Sequence, residues 1–98
     1  MKILVVEDEK KIREWVGKAL REEGFVVDAV DHGDDAYELL RTHSYDGAVF
    51  DIMIPGRDGL SLLKTIRREG NNLPVLVLSA RGDWGDRVEG LNLGADDY

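Results

Sequence analysis

The sequence predicts an open α/β fold, a parallel sheet wound on both faces by helices, and three observations predict it. Four apolar runs, Ile3 to Val6, Phe25 to Val30, Gly47 to Phe50 and Pro74 to Leu78, alternate with segments of helical period, the signature of stacked βαβ units. The first, third and fourth runs are continuously apolar, as in central strands covered on both faces, whereas Asp28 interrupts the second, which reads as an edge strand. Right-handed crossovers then leave few arrangements, and strand order 2-1-3-4 is the one expected. This is the flavodoxin-like order, which places a ligand at the switch point between strands 1 and 3.

Each helix has its own pattern. Ile12, Val16, Ala19 and Leu20 share one face of a first helix from about Lys10 to Glu23, stopped at Gly24. Ala36, Leu39 and Leu40 mark a short second helix. A third starts near Asp58-Gly59, buries Leu60, Leu63 and Ile66, and stops at Gly70-Asn71-Asn72 ahead of Pro74. Val88 and Leu91 mark a fourth, with Asp83 as its cap. No repeat, linker or low-complexity segment interrupts the series.

Two of the strand-like runs end in acids. Glu7-Asp8 closes the first and Asp51 the third, so three carboxylates are expected to converge at the carboxyl edge of the sheet. Like charges so placed raise one another's pKa unless a cation neutralises them. An oxygen-only site without His or Cys selects a hard cation, and Mg²⁺, which accepts few protein ligands and keeps its waters, fits best.

The segments Ile3-Leu4-Val5-Val6-Glu7-Asp8-Glu9, Phe50-Asp51-Ile52-Met53-Ile54-Pro55-Gly56-Arg57-Asp58-Gly59 and Val75-Leu76-Val77-Leu78-Ser79-Ala80-Arg81 resemble, in order and spacing, the receiver domain of bacterial two-component response regulators. The ending Gly94-Ala95-Asp96-Asp97-Tyr98 is similar to the branch that controls winged-helix DNA-binding domains. The resemblance implies that Asp51 takes a phosphoryl group from a phosphohistidine on a sensor histidine kinase. It implies that Asp8, Asp51 and the Met53 carbonyl ligate Mg²⁺, with Glu7 acting through water. Ser79 would close on the phosphoryl group as Tyr98 swings into the vacated space, a two-state switch biased by one modification.

In that family a Lys-Pro pair, a fifth strand and a final helix follow soon after the position of Tyr98. The resemblance therefore implies a C-terminally truncated receiver over residues 1–98, with strand 4 left as a sheet edge, lower stability and a tendency to self-associate. An aspartyl phosphate would form without driving Ser79 and Tyr98 into the active arrangement. The dimer that pairs Arg87, Asp96 and Asp97 with a fifth helix would belong to the full-length protein.

Composition bounds the function further. Ninety-eight residues predict one domain. A net charge of -7 argues against direct contact with nucleic acid, so DNA would be reached only through a separate domain. No apolar stretch is long enough to cross a bilayer, and no secretory signal opens the chain, which predicts a cytoplasmic protein. The absence of cysteine excludes disulfides and thiolate chemistry.

Blander roles fit other residues. His32 and His43 read as surface residues, Asp58-Gly59 as a helix-start turn, and Pro55-Gly56 as the shape of the loop beside Asp51. Trp15 reads as packing, while Trp84 stays open between packing and interaction. An aspartate-nucleophile phosphatase wants a second acid where Met53 stands, and a mononucleotide binder wants a phosphate loop where Glu7-Asp8-Glu9 would repel one. A phosphate-independent interaction module would not need the intact acids. The expectation is a regulatory phosphoacceptor, not an enzyme.

Overall fold

The computed structural model describes residues 1–78. Their order is β1 (Lys2–Val6), α1 (Lys10–Glu22), β2 (Val26–Val30), α2 (Gly33–Thr42), β3 (Gly47–Asp51), α3 (Gly59–Arg68) and β4 (Val75–Leu78). The strands form one parallel sheet of order β2-β1-β3-β4, as expected, with β2 at one edge. The expected fourth helix with Asp83, Val88 and Leu91, and Trp84, Arg87, Asp96, Asp97 and Tyr98, lie outside the described residues.

Alternation along each strand divides the core between the two faces. Leu4, Val6, Ala48, Phe50, Val75 and Val77 point to the face covered by Ala36 and Leu40 of α2 and by Leu62, Leu63 and Ile66 of α3. Ile3, Val5, Val27 and Val49 point to the other, where Val16 and Leu20 of α1 pack. Among the described residues β4 ends the sheet, as that order requires, and along it Val75 and Val77 are buried while Leu76 is exposed. In α3, Leu62 joins Leu63 and Ile66 in the core, and Leu60 is only half-buried.

α1 is turned relative to the stripe its apolar residues mark. Its inward residues are Arg13, Val16, Gly17 and Leu20, at helical spacing, while Ile12, Trp15 and Ala19 form an exposed stripe beside them. Trp15, 71% exposed, is therefore not a packing residue. On the inward face Gly17 is buried opposite Val27, and Arg13 reaches inward to donate to the Glu7 carbonyl at 3.0 Å.

The helix ends follow local chemistry. The Asp58 carboxylate accepts from Ser61 N–H at 2.9 Å and starts α3. Gly24 and Gly70, at φ 92° and 85°, take the left-handed positions that close α1 and α3. His43 is exposed, but His32 is half-buried: its Nδ1 accepts from Asp34 N–H at 3.1 Å, and it caps α2.

Candidate functional site

Sheet register brings the acids together. Val6 of β1 is paired with Phe50 of β3, so the next residues, Glu7 and Asp51, leave the same edge of the sheet side by side. Asp8 follows Glu7, and one carboxylate oxygen from each of Glu7, Asp8 and Asp51 lies within 4.8 Å of the other two. The three acids singled out in the sequence thus meet in space.

Their environments differ. Glu7 is buried at 4% exposure, Asp51 is half-buried, and Asp8 is exposed. Burial raises the Glu7 carboxyl from its ordinary 4.5 to about 7, helped by a hydrogen bond shared with Asp51 and by the charges of Asp51 and Asp8. The Glu9 N–H, donating to Glu7 Oε1 at 3.0 Å, opposes that rise. The buried acid therefore holds its proton to a far higher pH than an ordinary carboxyl.

The backbone around Asp51 is closely built. Met53 N–H donates to Asp51 Oδ1 at 3.2 Å, and the Met53 side chain is exposed, leaving its backbone as the part that serves the site. A Cβ on Gly59 would overlap the Asp51 carbonyl, so only glycine lets α3 begin so close to the end of β3. Gly59 N–H donates to the Ile52 carbonyl at 2.9 Å.

The donor set suits a hard divalent cation. All its side-chain atoms are carboxylate oxygens, and among the described residues no Lys or Arg forms an ion pair with Glu7, Asp8 or Asp51. A buried acid with no paired cation among the described residues is what a bound metal ion would balance. Ser79 lies outside the described residues. Arg13, which fixes the Glu7 carbonyl, escaped the sequence reading because nothing local distinguishes it from a solvated helix charge.

A flavodoxin-like sheet with an acidic cluster at its switch point defines a recognisable class of domain. Residues 3–98 match the response regulator receiver domain family. The two-component response regulator PhoP of Pseudomonas aeruginosa is 47% identical over 98 residues, covering 100% of this chain and 44% of that protein. The transcriptional regulatory protein CusR of Escherichia coli is 47% identical over 100% of this chain and 43% of its own length. The receiver domain of the Francisella response regulator 1452 superposes with a TM-score of 0.95 at 40% identity, over 99% of this chain and 80% of that one.

The chain belongs to the response regulator receiver domain family. It is by family a regulatory domain, and it spans less than half the length of these curated relatives. Among the described residues no helix is long and apolar enough to cross a membrane.

Proposed function

We propose that residues 1–98 act as a phosphoacceptor domain in which Asp51 takes a phosphoryl group from the phosphohistidine of a sensor histidine kinase. The observation that carries this is the meeting of Glu7, Asp8 and Asp51 within 4.8 Å at the switch point of the sheet. An Asp51 carboxylate oxygen bonds to phosphorus as the P–N bond to the kinase imidazole breaks, and the departing imidazole takes up a proton from solvent. Met53 N–H holds the other atoms of the carboxylate in place for attack.

Asp8, Asp51 and the Met53 carbonyl, with Glu7 through water, would hold Mg²⁺, whose charge offsets that of the phosphoryl oxygens. The Ser79 hydroxyl would meet the transferred group from the end of β4. The kinase partner, a cytoplasmic location, homodimerisation of the whole regulator and control of transcription through a separate DNA-binding domain all belong to this reading. They rest on family membership and on the kinship with regulators such as PhoP and CusR.

The test is labelling with a small-molecule phosphodonor and Mg²⁺, read by intact mass. One phosphoryl group should add to the wild type and none to Asp51→Asn, whose circular dichroism should be unchanged because amide and carboxylate are isosteric. Full labelling of the Asn variant would overturn the assignment.

A further inference from the structure

The segment that follows Asp51 is gripped from a side the acids do not touch. Residues 52–58 join β3 to α3, and their far side rests on the start of α2. Gly33 N–H donates to the Pro55 carbonyl at 2.9 Å. A Cβ on Gly33 would overlap the Arg57 carbonyl, and a Cβ on Gly56 would overlap the His32 ring. Two glycines, one on each side of the contact, therefore interlock the two segments.

Both sides of the lock are tied down. His32 is fixed by its cap bond to Asp34 N–H, and the Arg57 guanidinium lies 4.3 Å over the Tyr37 ring. In the loop itself Ile52 and Ile54 are buried at 5% and 6%, while Met53 between them is 62% exposed. Only Ile54 separates Met53 from Pro55, the residue that Gly33 bonds, so a displacement imposed at residues 55–57 is carried along the chain to the Met53 peptide, whose N–H bonds Asp51.

We infer that the start of α2, through Gly33 and His32, is a positioning element for the Asp51 site: it sets the path of residues 55–57 and so the Met53 backbone. The expected consequence for Mg²⁺ rests on the function proposed above; the consequence for the Met53 peptide does not. Neither residue touches the acids, so both act through the loop.

The test is Gly33→Ala in the 98-residue chain. Gly33 opens α2 without a positive φ, so alanine suits the helix, and it is Arg57, through its carbonyl and its Cβ, that has to give way. In the metal-free protein the Asp51 to Arg57 amide signals should shift in a ¹⁵N NMR spectrum. Mg²⁺ affinity, measured by titrating the metal alone, should fall about tenfold, as when a metal site loses an outer support. Gly17→Ala on α1 should do neither.

His32→Asn provides a second arm that adds no bulk. It keeps an acceptor for Asp34 N–H but removes the ring from Gly56, and it should speed amide exchange at Gly56 and Arg57 and weaken Mg²⁺. This variant decides the matter if Gly33→Ala does not fold. Unchanged Met53 signals and Mg²⁺ affinity in a folded variant, even one with a lower melting point, would reduce the contact to packing and overturn the inference. A wild type that binds no Mg²⁺ would refute the proposed function, and the metal-free amide shifts would still decide positioning.

Discussion

Replacing Glu7 by glutamine isolates the electrostatic cost built into the site. Glu7 is 4% exposed, and its carboxyl is raised from 4.5 to about 7 by burial and by the neighbouring acids. At about 1.4 kcal/mol per pH unit, that gap corresponds to about 3 kcal/mol. Because the folded-state value lies above the unfolded one, the folded chain holds the proton more tightly. Its contribution is fully present below pH 4.5 and is lost as pH rises toward 7. Glutamine mimics the protonated acid at every pH: its carbonyl can accept from Glu9 N–H and its amide can donate to Asp51. In EDTA the two proteins should be equally stable at pH 4.5, and the variant more stable by about 3 kcal/mol at pH 8. For a domain of this size that is a melting difference of roughly 12 °C or more. Saturating Mg²⁺ should narrow the difference, since a cation favours the ionised acid. Thermal melts across this pH range decide the matter, and parallel profiles in EDTA would refute the reasoning.

Asp8→Ala should raise the metal-free melting temperature by relieving repulsion and shrink the rise that Mg²⁺ produces, because one change removes a charge and a ligand; an undiminished Mg²⁺ response would contradict its role. Asp58→Ala removes the oxygen that accepts from Ser61 N–H at 2.9 Å and should cost about 1 kcal/mol in urea unfolding, with a loss near zero showing that the cap contributes nothing.

The fold was legible because its signals are local. Continuous apolar runs mark β1 and β3, an interrupting acid marks β2 as an edge, and Asp58 and Gly70 bracket α3. The convergence of Glu7, Asp8 and Asp51 was legible for the same reason, since each closes a strand-like run and the strand order brings the ends together. Which acid is buried was not, because neighbouring residues leaving a strand face opposite ways and only the packed structure says which way Glu7 turns. The stripe of α1 was misread through Ile12 and Ala19, since hydrophobicity alone does not reveal that Gly17 and Arg13 are turned inward. The interlock of Gly33 with Arg57 and of Gly56 with His32 joins segments more than twenty positions apart, and no local spacing encodes it.

Burial of Glu7, with the charges of Asp51 and Asp8 beside it, could be relieved by moving the acids apart and letting water in, and the structure explains why it appears as a raised pKa instead. Val6 and Phe50, the residues before Glu7 and Asp51, are fully buried and paired across the centre of the sheet. Separating the acids would unpair β1 from β3 and expose both side chains, a loss of several kcal/mol at about 1.5–3 kcal/mol per large apolar side chain. Protonating Glu7 near neutral pH costs far less, so the chain keeps its geometry and takes up a proton. A cation bound among the acids would displace that proton without rebuilding the sheet. Preorganisation of the Asp51 site is thus a property of the hydrophobic core beneath it, and the buried acid records how strongly that core holds.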